Sequence, residues 1–391
     1  MRQTAILISL LVLVAGVGVS PAAGAAPSPE VTSHGSDATY ESCEFPVEMT
    51  DATGETVRLE ERPERVVTIG PSAAQTMWEI GAEDQVVGVS QFAQYLDGAD
   101  EKANVSAEFG ASVERVVAAE PDLVLAPNVS ADDVEPLREA GLTVYHFPQA
   151  TDVDDVRQKT RTVGTLTGNC EGAAETNAWM DANVEAVQSV TAEAEDRPRA
   201  LYPLGGGYVA AGNTFIDSVI SLSGAENAAG GESGYPQLSD EVVLEMDPEV
   251  LVVNSPGAFV GQEPYASTTA GQTDSTVVVE VQWLNQPAPR SIVYATHNLT
   301  EQLHPELYDE GVYVERSEIS VSEAGSGTPT DTDSETDGDT DTEPADDGDT
   351  DTEPADGTDG AVDVSTPGFG IVATVLAALF AALLAVRRSA G

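Results

Sequence analysis

AAETNAWMDANVEAVQSVTAEA, Ala173–Ala194, is the stretch that decides the fold. Apolar or small residues recur there at helical spacing, at Ala173, Trp179, Met180, Val184, Val187 and Val190. No glycine or proline interrupts it, and Pro198 lies just beyond its end. About 22 residues at ~1.5 Å each give a rod of ~33 Å, a small domain's diameter. On both sides the chain reads as alternating strands and helices. A rod between two α/β halves keeps them at nearly fixed separation, which predicts a two-lobed binder with a cleft.

Working towards the N-terminus, the first lobe begins with RVVTIGPSAAQTMWEIGAEDQVVGV, Arg65–Val89. Val66–Ile69 reads as a strand, Gly70-Pro71 as a turn, and Ser72 as the cap of a helix reaching Ile80. Strand Val86–Val89, helix Ser112–Ala119, strand Leu123–Ala126, helix Ala131–Ala140, strand Thr143–Phe147 and helix Val153–Leu166 follow. Such short alternation implies a parallel sheet with right-handed crossovers. Loops at the strand C-terminal ends then gather at one edge, where such sheets bind ligands. Ser72, Phe92, Tyr95 and Phe109 fall in those loops.

The second lobe repeats the scheme, with strands at Ala200–Pro203, Val250–Val253 and Val277–Val281. Its loops carry Tyr208, Tyr235 and Trp283, the last in a loop running to Arg290, and Ser291–Leu303 is a final helix. Aromatic faces on both sides of a cleft suit a large, flat, partly apolar ligand. Before the C-terminal tail, Arg290 and Arg316 are the only basic residues after Arg199, so Arg290 pairs with a local carboxylate or faces the ligand.

The ends read differently. Met1–Ala25 has Arg2, an apolar run and Ala23-Gly24-Ala25, the pattern of a cleaved export signal. Phe45–Leu59 alternates around a turn cluster and reads as a hairpin. The two cysteines, Cys43 before that hairpin and Cys170 before the long helix, permit a disulfide in an exported chain. Thr328–Asp363, acidic and threonine-rich with DTEPAD twice, reads as an unfolded spacer. Phe369–Val386 is apolar and long enough to span a bilayer core, and Arg387-Arg388 follows it. Its Pro-Gly-Phe start and basic end resemble the C-terminal sorting signal of archaeal surface proteins, which implies replacement of the segment by a lipid. Asn104, Asn128 and Asn298 are glycosylation acceptors in form.

Composition narrows the function. The chain has 391 residues, 67 acidic and 16 basic, a formal net charge of −51. Such a surface repels nucleic acid and suits concentrated salt, where self-repulsion is screened. No catalytic constellation stands out, and no cofactor loop is present; of the four histidines only His297 and His304, seven apart, can share a helix face, and Pro305 after the second favours a helix end over a metal site.

Arg65–Val89, VERVVAAEPDLVLA at Val113–Ala126, YPQLSDEVVL at Tyr235–Leu244 and PAPR at Pro287–Arg290 together resemble the class III solute-binding proteins of ABC importers, the cobalamin- and iron-siderophore-binding group. The resemblance runs from about Arg65 to Tyr308. It implies two α/β lobes with mainly parallel sheets on one bridging helix, no enzymatic activity, and delivery of a ligand to permease and ATPase subunits by a monomer tethered outside the cell. Cobalamin is the expected ligand, with a ferric siderophore or haem as the alternative. The resemblance also implies that Glu114 and Glu241, one on each lobe, dock onto permease arginines; by themselves both read as solvated helix carboxylates. The expected segments are a signal (1–25), an N-terminal hairpin segment (26–63), the first lobe (64–170), the bridging helix (171–197), the second lobe (198–322), the spacer (323–364) and the sorting segment (365–391).

Overall fold

The computed structural model describes residues 37–324. The export signal, the acidic spacer beyond that point and the apolar C-terminal segment lie outside the described residues.

In chain order, β1 (Asp37–Tyr40) precedes the hairpin of β2 (Val47–Thr50) and β3 (Thr56–Leu59). The first lobe follows as β4 (Val66–Thr68), α1 (Pro71–Glu79), β5 (Val86–Val89), β6 (Ala103–Asn104), α2 (Val113–Ala118), β7 (Leu123–Ala126), α3 (Ala131–Glu139) and β8 (Val144–His146). Two helices, α4 (Val153–Thr167) and α5 (Cys170–Thr191), lead to the second lobe. That lobe comprises β9 (Arg199–Leu201), β10 (Pro203–Gly205), β11 (Tyr208–Val209), α6 (Phe215–Leu222), β12 (Glu226–Asn227), α7 (Asp240–Met246) and β13 (Val250–Val253). It ends with α8 (Thr269–Thr273), β14 (Thr276–Val278), α9 (Val281–Leu284) and α10 (Pro289–Leu303), and β15 (Ser320–Glu323) closes the described chain.

The first sheet has the order β6-β5-β4-β7-β8 and the second β12-β9-β13-β14. Every pairing within each is parallel. Both faces of the first sheet are covered, which is why its strands read as unbroken apolar runs. Leu123 and Leu125 point into a core shared with α1, α4 and the hairpin, while Val124 and Ala126 point into a core under α2 and α3. That is the two-residue period of a strand. Each fully buried Leu or Val there contributes about 1.5–3 kcal/mol of transfer free energy.

The bridging helix α5 has 22 residues. It begins three residues earlier than its periodicity indicates. Gly168, at φ +70, ends α4 in the left-handed conformation, and Asn169 lets the next helix start at Cys170. The earlier start brings Gly172 into the helix, where a Cβ would lie 2.1 Å from the Ile80 carbonyl oxygen. Its absence permits α5 to touch the end of α1. Ala173 of α5 belongs to the first lobe's core, and Trp179 and Met180 to the second's. Helix α4 runs beside it and spans the same gap, with Val163 and Leu166 in the first core and Val156 in the second. A third crossing comes from residues 313–323: Trp179 Nε1 and Asn183 Nδ2 donate to the Val314 carbonyl, and β15 then pairs in parallel with β1. A disulfide joins Cys43 to Cys170 and ties the segment ahead of the hairpin to the first residue of α5.

Two local readings change. Ser72 does not cap α1: Gly70 stands at the cap, Pro71 starts the first turn, and Ser72 is buried inside it. Trp283 lies on the short helix α9, with its ring edge-on to Tyr294 at 5.4 Å between centroids, and not in a loop.

Candidate functional site

In each sheet the strand order reverses at one point, and crevices at such points bind ligands. In the first sheet the reversal falls between β4 and β7. There the loops Ile69–Pro71 and Pro127–Ser130 meet so closely that a Cβ on Gly70 would lie 2.6 Å from Pro127. In the second it falls between β9 and β13. There the buried Tyr202 phenol lies near the side chains of Asn254 and Asn285, and burial pushes it up to about 12. Sequence reading missed these three residues; for Tyr202 and Asn254, the positions just after strands Arg199–Leu201 and Val250–Val253 were the available signal.

The two lobes are joined by a buried polar seam that runs the length of α1, from its start at the first sheet's loop edge to its end against α5. Glu79, at the end of α1, is almost wholly enclosed and carries ion pairs to Arg290 and Arg316. The Arg316 guanidinium also lies over the Trp179 ring at 4.3 Å. One turn back, Gln75 accepts from the Ser291 backbone N–H at 3.2 Å and its hydroxyl at 3.0 Å, and donates to the Tyr95 hydroxyl at 2.8 Å. At the start of α1, Ser72 Oγ accepts from Lys159 Nζ at 2.9 Å, and the same ammonium donates to the Pro287 carbonyl at 3.0 Å. Complete burial drives the Lys159 amine down to about 7. Glu79 and Gln75 come from the first lobe, Arg290 and Ser291 from the second, and Arg316 from the third crossing. Broken pairs of this kind leave uncompensated charge, so the seam resists separation of the lobes.

The sequence-assigned residues fall into three sets. Ser72 and Arg290 take part in the seam, one bonded to Lys159 and the other paired with Glu79. The local carboxylate open to Arg290 in sequence is supplied from the other lobe. Tyr95 is brought to the same place through Gln75; its hydroxyl is pushed up to about 12 by burial, with Arg290 and Glu79 both near enough to act on it. Tyr235 and Trp283 are half-buried against the second core, and burial pushes the Tyr235 phenol up to about 12 as well. Tyr208 lies on β11 in a bridge with Gln237, and Phe92 is half-buried in the turn after β5. Phe109 stands apart at 64% exposed on the loop between β6 and α2.

Glu114 and Glu241 are exposed in the first turns of α2 and α7. They occupy matching places in two segments that align without a gap, SVERVVAAEPDLVL from Ser112 and SDEVVLEMDPEVLV from Ser239. Ser112 and Ser239 each cap their helix through the backbone N–H three residues on. Val116 and Val243 are buried at 0% and 1%. Glu120 and Asp247 both adopt positive φ, 47° and 41°. Asp122 accepts from the Arg65 N–H at 2.9 Å, and Glu249 from the Arg199 N–H at 2.8 Å. Arg65 and Arg199 return the bond to the helix-end carbonyls of Glu120 and Asp247. The duplication was present in the sequence and legible by internal comparison.

Two α/β lobes on a stiff strut, a seam that fixes them and aromatics along both loop edges define a two-lobed solute-binding fold of the fixed-lobe type. The chain belongs to the periplasmic binding protein family, whose profile it matches over residues 66–280. This is a family of exported, non-catalytic proteins that bring small ligands to ABC importers. The chain is 42% identical over 313 residues to a cobalamin-binding protein of Halobacterium salinarum, covering 74% of this chain and 84% of that one. Among solved structures it is similar to the vitamin B12 binding protein BtuF of Vibrio cholerae, with a TM-score of 0.54 and 24% identity over 63% of this chain and 99% of that one. It is also similar to the haem-binding protein BhuT in complex with two haems, with a TM-score of 0.56 and 25% identity over 62% of this chain and 100% of that one.

Proposed function

We propose that this protein captures a corrinoid, cobalamin, between its lobes and delivers it to an ABC permease. The observation that carries this reading is the 42% identity to the Halobacterium cobalamin-binding protein over most of both chains. The site supports it. A ligand rich in carboxylates calls for free cations, yet Arg290 and Arg316 are both held by the Glu79 carboxylate and Lys159 is enclosed. What the loop edges offer is aromatic surface and amides: Phe92, Tyr95, Phe109, Tyr208, Tyr235 and Trp283, with Asn254 and Asn285 at the second reversal point. A haem or ferric siderophore is the competing ligand, supported by the likeness to BhuT. In this reading Glu114 and Glu241 dock the lobes on permease arginines, the lobes span about 64–170 and 198–322, and the monomeric protein is held at the outer membrane face by its C-terminal segment.

Calorimetry on the purified chain in multimolar KCl, with cobalamin, a ferric hydroxamate and haem titrated in turn, tests the reading. Saturable one-to-one binding of cobalamin is expected. Binding of haem or the hydroxamate with none of cobalamin would replace it.

A further inference from the structure

Among the described residues, four large apolar side chains stand well out of the surface: Phe109, Val117, Val129 and Leu244. Phe109 and Val129 lie on loops at the first sheet's ligand edge. The other two form a matched pair. Val117 follows Glu114 by three residues on α2, and Leu244 follows Glu241 by three on α7, each 42% exposed. Three residues apart is one helix face. Each lobe therefore presents a carboxylate beside a branched aliphatic side chain, at the same place in the same repeated segment. The cores need neither, because Val116 and Val243 already anchor the two helices. On a chain of net charge −51, where carboxylates cover the surface, two apolar side chains at equivalent places require a reason.

We propose that Val117 and Leu244 are the apolar halves of two equivalent docking plugs, each seating in a permease surface that offers a guanidinium beside an apolar hollow. The proposal rests on the docking reading of Glu114 and Glu241 and adds what that reading lacks. Near 1 M salt the screening length is about 3 Å, so an exposed carboxylate–guanidinium pair loses most of its attraction. Apolar burial is not screened by salt and is strengthened by excluded salts. A protein of this charge, working in salt, gains orientation from the carboxylate and salt-resistant affinity from the neighbouring aliphatic.

The test measures affinity of the full chain for the permease–ATPase complex in lipid nanodiscs, across a KCl series whose lower limit keeps the chain folded. The double variant Val117→Ser, Leu244→Ser is expected to lose tenfold or more in affinity at 3 M KCl, with cobalamin binding unchanged. Val117→Ile with Leu244→Ile is expected to restore it. The double variant Glu114→Gln, Glu241→Gln is expected to lose most at the lowest salt and progressively less as salt rises. If the serine pair docks like the parent at every salt while the glutamine pair is impaired, the apolar plugs are wrong and the docking reading stands. If neither pair changes docking, both fall. If, of Val117→Ser and Leu244→Ser made singly, only one weakens docking, the two plugs are not equivalent and the proposal is overturned.

Discussion

The loop ahead of α2 and the loop ahead of α7 lead into the same capped helix, yet they leave their aromatic side chains in opposite places. In the first lobe, backbone bonds from the Ala107 N–H to the Gly110 carbonyl at 3.0 Å and from the Ser112 N–H to the Val105 carbonyl at 2.8 Å close the loop, and side chains add to them. Arg115 donates back to the Ser106 carbonyl, and the Asp133 carboxylate accepts from the Ala111 N–H at 3.2 Å. Phe109 is left in solvent. In the second lobe, the position of Arg115 is Val242, and backbone bonds hold the loop together with the Gln237 side chain, which donates to the Gly206 carbonyl at 2.8 Å. The N–H groups of Val209, Ala211 and Leu238 donate to Pro236, Gly234 and Gly207 at 3.2, 2.9 and 2.9 Å. Tyr235 folds against the second core. The helices are duplicated and the walls are not. A partner that meets both helices sees the same chemistry twice, whereas a ligand between the walls sees two different surfaces. At the seam the lobes are complementary, with the Glu79 carboxylate on one side and Arg290 on the other.

The strongest way to break this picture is at the seam. Glu79→Gln leaves Arg290 and Arg316 facing a neutral amide in a nearly closed site, and a loss of about 3–5 kcal/mol is expected from denaturant unfolding at fixed salt. A loss below about 1 kcal/mol would mean that the three crossings alone hold the lobes. The next test separates the two walls. Tyr235→Ala removes a ring from the second core and should cost about 2–4 kcal/mol of stability. Phe109→Ala should stay within about 0.5 kcal/mol in the same measurement while weakening cobalamin binding. Equal stability costs at the two positions would erase the contrast between them.

The last test is one of pH, with the smallest change expected per unit step. The Lys159 amine sits near 7 when folded and near its ordinary 10.5 when unfolded. Between those values the unfolded chain binds the extra proton, so stability rises with pH through that window. Below about 7 the charged amine is enclosed at its full cost. The parent should gain about 1 kcal/mol per pH unit above pH 7 relative to Lys159→Met, whose curve lacks this rise. Parallel curves for the two proteins would show that Lys159 is solvated.

Much of the fold was open to reading because strands and helices declare themselves locally. Leu123–Ala126 and Val250–Val253 have the bounds their apolar runs indicate, since a strand covered on both faces has no polar position to blur it. The α5 start was obscured because Gly172 resembles a break until its neighbour is seen. Only the packing of Ile80 against it shows that a missing Cβ, and not a turn, is what the position supplies.

The site divides along the same line. Periodicity and turn chemistry placed the aromatics at the strand ends, because which end of a parallel strand carries a loop follows from chain order alone. Charge composition excluded nucleic acid for an equally local reason, the scarcity of cations. Tertiary structure alone decided which groups were already engaged. Arg290 and Glu79 are separated by most of two lobes in sequence, Lys159 and Pro287 by the strut and most of one, and nothing local joins them. Pairings between groups so far apart depend on how whole lobes seat on the strut, a property that no window of sequence contains.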